Sequence, residues 1–86
     1  MDILFLDIHI NPHDGLTIFE KVHQKKRDLP IVFISAGILL EEVKWARSNG
    51  LSACMEKPIS TDNLLNLVYE ILGGQNNRFR FIRSTF

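Results

Sequence analysis

Short apolar runs alternate along the chain with longer stretches in which apolar residues recur at helical spacing. The apolar runs lie at residues 3–6 and 31–35, and residues 51–56 predict a third strand more weakly. Runs this short are typical of strands that are buried on both faces in a parallel sheet. The stretches with helical spacing lie at residues 15–27, at residues 39–48 and after residues 60–62. The order β-α-β-α-β-α therefore predicts an α/β fold with parallel strands and right-handed crossovers.

Turn-forming residues separate these segments. Pro12 and Gly15 predict a loop over residues 9–15. Ser60 has the chemistry of a helix N-cap, and the glycines at positions 73 and 74 end the helix that follows it. We therefore assign residues 1–74 to one domain and residues 75–86 to a C-terminal tail. The tail contains the alternating segment RFRFI, which is the pattern of an additional strand.

Composition narrows the class of protein. The 86 residues are 45% hydrophobic and carry ten basic and ten acidic side chains, so the formal net charge is zero. This balance gives no electrostatic reason to expect a nucleic-acid or membrane partner, and no apolar run approaches the roughly 20 residues of a membrane span. A single cysteine, Cys54, excludes an internal disulfide framework and fits a reducing compartment. We therefore expect a small cytoplasmic protein without a signal peptide.

A polar residue follows each predicted strand. Asp7 ends the first apolar run, Ser35 ends the second, and Lys57 follows the third. Because the carboxyl ends of parallel strands meet at one edge of the sheet, these three side chains are expected to converge there. A structural interpretation stays open at this point, since Asp7 and Lys57 can form a simple ion pair and Ser35 can cap the backbone.

The strand ends resemble those of the receiver domain of bacterial response regulators. The matching segments are LDIHINPHDG, IVFISA and EKP, and the resemblance covers residues 2 to about 72. It implies a partial flavodoxin-like fold in which three parallel strands alternate with three helices. By this resemblance Asp7 is the acid that a histidine kinase phosphorylates, Ser35 hydrogen-bonds to the phosphoryl group, and Lys57 pairs with a phosphoryl oxygen. Gly15 matches the family's glycine eight residues after the acid.

The family holds Mg²⁺ with an acidic pair on its first strand, and these 86 residues begin at the acceptor strand. The resemblance therefore implies an N-terminally truncated receiver that lacks the first strand, the first helix and the second strand. A carboxylate attacks phosphorus only where nearby positive charge offsets the incoming oxygens. Asp7 with the backbone carbonyl of His9 is a poor Mg²⁺ site, because Mg²⁺ prefers octahedral oxygen ligands. Bound Mg²⁺ is thus doubtful, and phosphotransfer is expected to be impaired.

Further departures from the family concern the acceptor loop, the output switch and the sheet edge. Asn11 stands where the family usually has proline, and Cys54 stands where it has a switch aromatic. The family's strand order would leave residues 3–6 as an exposed apolar edge, which pairs with something or aggregates. Three solutions are open: a homodimer formed by edge pairing or strand exchange, which we favour; a strand from the tail; or a segment of another chain.

Several residues have weaker functional interpretations. His9, His13 and Asp14 share the predicted loop but lack a preorganised fourth ligand, so a metal site is not expected from them. His23 is expected on a solvated helix face, and Cys54 is expected to be a small buried hydrophobe. The tail combines arginines with aromatic rings, a mixture that can bind single-stranded nucleic acid, but three arginines are too few to predict such a partner.

Two functions remain. The first is a phosphorelay signalling module, not an enzyme, with Asp7 as phospho-acceptor and a histidine kinase or phosphotransfer protein as partner. The second is a degenerate receiver that works as a dimerisation or docking module without phosphorylation. A nucleotide-binding fragment is disfavoured because the chain has no glycine-rich phosphate loop.

Overall fold

A computed structural model describes residues 2–8, 12–36, 40–74 and 79–82, without the side chains of residues 12–14 and 40. The elements are β1 (Leu4–Asp7), α1 (Pro12–Lys25), β2 (Ile31–Ser35), α2 (Leu40–Ser48), β3 (Ala53–Glu56), α3 (Thr61–Leu72) and β4 (Arg80–Ile82). The four strands form one parallel sheet in the order β1-β2-β3-β4. The predicted α/β fold with alternating strands and helices is confirmed.

The register of the sheet aligns the carboxyl ends of its first three strands. Asp7 at the end of β1 pairs with Ile34, and Ser35 at the end of β2 pairs with Glu56 at the end of β3. The central strand β2 is buried along most of its length, as its continuous apolar sequence requires. The sheet therefore presents the ends of three strands at one edge.

Two apolar layers pack on opposite faces of this sheet. The first contains the inward side chains of α1 and α2, with Phe19 and Val43 packed over Phe33. The second contains those of α3, with Leu67 and Ile71 packed over Val32. One face of the sheet is therefore covered by two helices and the other by a single helix. None of the helices in the described parts of the chain is both long and apolar enough to cross a membrane.

Helix α1 begins at Pro12, so the prediction of a loop extending to residue 15 is wrong. Proline is tolerated at the first helical position because the N–H that it lacks has no partner within the helix there. Residues 9–11 lie outside the described residues. Helix α3 begins as predicted after Ser60, whose hydroxyl oxygen accepts a hydrogen bond of 3.1 Å from the backbone N–H of Asn63.

An aromatic cluster joins α1 to the sheet and to α2. The ring of Phe19 is fully buried, with its centroid 5.5 Å from that of Phe33 and 6.0 Å from that of Trp45, both in edge-on geometry. His23, one turn further along α1, stacks on Phe19 at 5.6 Å. Its buried Nδ1 atom has no hydrogen-bond partner among the described residues. His23 is therefore half-buried against Phe19 rather than fully solvated as predicted, because residues four apart share one helix face.

The tail contributes strand β4, which pairs in parallel with β3. Arg80 donates from Nε to Oε2 of Glu70 on α3 at 2.5 Å, and the guanidinium of Arg47 on α2 lies 5.0 Å from the ring centre of Phe79. These contacts fix the tail at the β3 side of the sheet. A tail strand paired with residues 3–6 is one of the three arrangements that the sequence leaves open, and that prediction is wrong. In the described part of the chain β1 is an edge strand.

Candidate functional site

The candidate site lies where β1, β2 and β3 end. The sheet hydrogen bonds continue one residue past the strands: the Ile8 N–H donates to the Ile34 carbonyl at 2.9 Å, and the Lys57 N–H donates to the Ser35 carbonyl at 2.7 Å. The peptide between Lys57 and Pro58 is cis. The backbone on both sides of the site is therefore anchored to β2.

Asp7 and Lys57 are in direct contact although they are separated by 50 residues. The Lys57 Nζ donates to Oδ2 of Asp7 at 2.5 Å. The two side chains are 43% and 37% exposed, respectively, and an ion pair this accessible to water contributes less than about 1 kcal/mol to stability. Its main consequence is local: a positive charge stands beside a solvent-accessible carboxylate and would offset negative charge that arrives at that oxygen.

Ser35 lies at the same sheet edge but is buried, with 4% of its surface exposed. Because it pairs with Glu56 whereas Asp7 pairs with Ile34, Ser35 and Asp7 leave the sheet on opposite faces. Ser35 also makes an interaction within the protein besides these backbone contacts. The structure thus brings Asp7 and Lys57 together and places Ser35 beside them at the end of the central strand.

The described residues do not by themselves form a Mg²⁺ site. They contain no group of three or more histidine, cysteine or acidic side chains placed to hold a metal ion. His9, whose carbonyl was considered as a ligand, lies outside the described residues, as do the side chains of His13 and Asp14. A single carboxylate that is already paired with an ammonium group falls short of the several oxygen ligands that Mg²⁺ takes.

Gly15 and Glu56 are two neighbours of the site to which the residue pattern gave no physical role. A Cβ atom at Gly15 would lie 2.2 Å from Cγ2 of Ile8, the residue after Asp7. Glu56 precedes Lys57 and pairs with Ser35 in the register of the sheet. The eight-residue spacing marked Gly15 only through the family resemblance, and Glu56 carried no signal beyond standing in the EKP segment.

Cys54 lies in β3, two residues before Glu56, and is 2% exposed. Burial raises the pKa of its thiol to about 11, and the nearby Glu56 carboxylate acts in the same direction. Both effects disfavour the thiolate, which is the reactive form of cysteine. Cys54 is therefore a buried apolar side chain, as predicted.

Alkylation of Cys54 is expected to be more than about a hundredfold slower in the folded protein than in the unfolded chain at pH 8. A thiol with a pKa near 11 is almost wholly protonated at that pH, whereas an unfolded thiol titrates near 8.5. Mass spectrometry after iodoacetamide treatment, with and without denaturing urea, measures the ratio. The folded-state rate should rise with pH up to about 11. Equal rates in both solvents would contradict the buried position.

Comparison with known proteins agrees with this geometry. The family model "Response regulator receiver domain" matches residues 1–69. A sensor histidine kinase RcsC from Salmonella typhi is 30% identical over 64 residues, which are 74% of this chain and 7% of that protein. A transcriptional regulatory protein KdpE from Staphylococcus aureus is 33% identical over 63 residues, or 73% of this chain and 27% of that protein.

A two-component system protein A from Emericella nidulans is 25% identical over 72 residues, which are 84% of this chain and 11% of that protein. The chain thus spans less than a third of the length of each of these relatives. No solved structure matched. With a family model that matches most of its length, this chain belongs to the response regulator receiver domains of two-component signalling.

Proposed function

We propose that the chain acts as a receiver in a phosphorelay, in which the Asp7 carboxylate takes a phosphoryl group from a phosphorylated histidine. The donor is a histidine kinase or a phosphotransfer protein. The observation that carries the proposal is the exposed Asp7 carboxylate at the sheet edge, with the Lys57 ammonium 2.5 Å away. In the reaction a carboxylate oxygen of Asp7 bonds to phosphorus, the bond from phosphorus to the histidine nitrogen breaks, and that nitrogen keeps the electron pair.

The residues around Asp7 have separate roles in this proposal. Lys57 neutralises charge on the incoming phosphoryl oxygens, since its ammonium group already lies against one of the two oxygens of the attacking carboxylate. Ser35, which is buried and leaves the sheet on the opposite face from Asp7, would hydrogen-bond to the phosphoryl group only by turning past the end of β2. The backbone hydrogen bonds of Ile8 and Lys57 to β2 keep the attacking and neutralising groups in register.

Phosphotransfer in this chain is proposed to be slow. Receiver domains usually bind Mg²⁺ at this site, where the ion supplies further positive charge. The described residues contain no metal-binding cluster. Among them, the positive charge beside Asp7 comes from the Lys57 ammonium group. Removing one group that stabilises transition-state charge typically costs a factor of about 10²–10³ in rate. We therefore expect a phosphotransfer rate well below that of a receiver with a complete metal site.

A second candidate function is docking or dimerisation that does not depend on phosphorylation. It is favoured by the same shortage of metal ligands among the described residues. It is also favoured by a row of exposed apolar side chains on α3, which a phospho-acceptor does not need. The two candidates differ in whether Asp7 must be phosphorylated for the protein to act.

Intact-protein mass spectrometry after incubation with acetyl phosphate and Mg²⁺ tests the proposed acceptor. We expect the native chain to gain one phosphoryl group slowly and the Asp7→Asn variant to gain none, because an amide cannot form the acyl phosphate. Asp2→Asn is the matched control, since it removes an exposed acid just ahead of the same strand. It should behave as the native chain does.

Two outcomes would count against Asp7 as the acceptor. Equal gain in the Asp7→Asn variant would place the phosphoryl group on another residue. No gain in a native sample shown to be folded by circular dichroism would leave phosphorylation-independent docking as the function.

A further inference from the structure

A groove lies between helix α2 and the tail strand β4. Its volume is about 380 Å³, and its walls are formed by Val43, Lys44 and Arg47 on α2 and by Phe79 and Phe81 on the tail. Small-molecule sites usually have volumes of about 300–1,000 Å³. The groove therefore has room for a molecule with one or two rings. None of its lining residues belongs to the candidate phosphorylation site.

The strand register places two aromatic rings in this groove. Phe81 pairs with Cys54 of β3, and both pack in the apolar layer on the α1 and α2 side of the sheet. Since side chains alternate along a strand, Phe79 also faces α2. Arg80, between the two rings, points to the other side and is ion-paired with Glu70. Both rings are only half-buried, so a ligand can reach them.

The other wall of the groove carries two positive charges. Lys44 and Arg47 lie three positions apart and so share one face of α2. Both are exposed, and neither forms a salt bridge with another described residue. No acidic side chain of the described residues lines the groove. Although the chain as a whole has no net charge, the groove is locally cationic.

One of these cations already contacts an aromatic wall. The guanidinium of Arg47 lies 5.0 Å from the ring centre of Phe79. A guanidinium over a ring face keeps N–H groups in its own plane, and these can donate to a carboxylate or a phosphate. Lys44 adds a second donor with a compact charge. The groove thus combines an apolar surface for a ring with two donors for an anion.

We propose that this groove binds a small anion with a planar apolar body. The ring of the ligand packs against Val43, Phe79 and Phe81, and its anionic group accepts hydrogen bonds from Lys44 and Arg47. An aromatic carboxylate and a mononucleotide share this chemistry. A neutral or cationic ring would gain nothing from the two positive charges. A nucleic-acid strand would need more phosphate contacts than two cations supply.

The site is a property of this chain beyond its match to the receiver domains. The family model matches residues 1–69, whereas both aromatic rings of the groove lie in the tail. The proposal also does not rest on phosphorylation, because Asp7 takes no part in it. The chain would therefore carry a ligand site on the β3 side of the sheet, separate from its acceptor carboxylate.

Titration of the nitrogen-15-labelled chain with 2-naphthoate, followed by amide NMR shifts, tests the site. We expect a dissociation constant on the order of 1 mM, since so small a ligand makes few contacts. The neutral 2-naphthamide should bind at least about fivefold more weakly, because it lacks the charge. Nuclear Overhauser effects from the naphthyl protons should reach the Val43 methyl groups and the rings of Phe79 and Phe81.

A second titration, with adenosine 5′-monophosphate against adenosine, distinguishes the two sources of the ligand chemistry. Tighter binding of the nucleotide than of 2-naphthoate would identify a phosphate ligand, and the reverse would identify a carboxylate. Either anion that binds in the groove more tightly than its neutral counterpart supports the proposal.

Substitutions on α2 test the roles of the two cations. Lys44→Gln and Arg47→Gln should each raise the dissociation constant of the anion about two- to fivefold, as for other exposed charge pairs. Arg47→Lys retains the charge and should lose less than Arg47→Gln. Lys25→Gln is the matched control, since Lys25 is an exposed lysine of α1 that does not line the groove. It should leave the affinity unchanged.

Nuclear Overhauser effects between β3 and β4 show whether the tail stays paired in each variant. If Arg47→Gln releases the tail, Lys44→Gln decides, since it leaves the contact of Arg47 with Phe79 in place. The proposal is overturned if neither anion binds, if the neutral compounds bind as tightly, or if the ligand contacts other residues. Equal affinities for Lys44→Gln and Lys25→Gln would overturn it too. The chain is unphosphorylated throughout, so the phosphorylation assay can fail without affecting this result.

Discussion

Replacing Phe19 with alanine is expected to lower the free energy of unfolding by about 3–5 kcal/mol. The Phe19 ring has no exposed surface and contacts the rings of Phe33, Trp45 and His23. It therefore joins β2, α1 and α2, and its removal leaves a cavity that three elements would have to close together. Small domains have about 5–15 kcal/mol of stability in all, so this one substitution removes a large share.

Urea unfolding followed by circular dichroism measures this loss. Ile18→Ala is the control, since Ile18 is the adjacent residue on the same helix but is 47% exposed. That substitution should change the free energy of unfolding by less than about 1 kcal/mol. If Phe19→Ala is already unfolded without urea, Phe19→Leu gives a smaller and measurable loss. Equal losses for Phe19→Ala and Ile18→Ala would mean that Phe19 is not at the centre of the core.

Local sequence patterns correctly predicted the bounds of those elements that begin directly after strong turn-forming or capping residues. Strand β2 occupies residues 31–35 as predicted, because a run of β-branched and aromatic residues begins directly after Pro30. Helix α3 starts after Ser60 because the N-cap hydroxyl is a local interaction. The start of α1 was misplaced because proline is compatible with both a loop and a first helical turn, and sequence alone does not separate the two.

Contacts between segments that are distant along the chain could not be predicted from the sequence. The alternation in RFRFI indicates a strand but says nothing about which edge of the sheet it joins. That choice depends on Arg80 meeting Glu70 and on Phe79 meeting Arg47, which are partners 10 and 32 residues away in the sequence. The environment of His23 likewise depends on helix α2 and its Trp45 packing beside α1.

The candidate site was predictable in its members but not in its geometry. Asp7, Ser35 and Lys57 could be identified because they end strands, and strand ends of a parallel sheet share an edge. The 2.5 Å contact between Lys57 and Asp7 depends on a side-chain conformation that spacing does not determine. Ser35 proves to be buried and to leave the sheet on the other face from Asp7, which only the register of the strands shows.

Gly15→Ala is expected to destabilise the protein by about 1–3 kcal/mol, although alanine normally favours a helix over glycine by about 1 kcal/mol. The new Cβ would lie 2.2 Å from Cγ2 and 3.1 Å from Cβ of Ile8, a residue that is 1% exposed. No flexible chain end can move aside here, so α1 or the end of β1 must shift. Since Ile8 follows Asp7, a shift of β1 would also displace the acceptor carboxylate.

A double-mutant cycle with Ile8→Ala separates this clash from any other effect of alanine at position 15. Ile8→Ala alone leaves a cavity and costs about 2–5 kcal/mol, but it also removes the Cγ2 atom that the new Cβ would meet. In the Ile8→Ala background Gly15→Ala should therefore cost much less, although the Cβ at position 8 remains 3.1 Å from the new Cβ, giving a coupling energy of at least about 1 kcal/mol. Urea unfolding of the four proteins measures it. Losses that simply add would show that Gly15 is required for a reason other than its approach to Ile8.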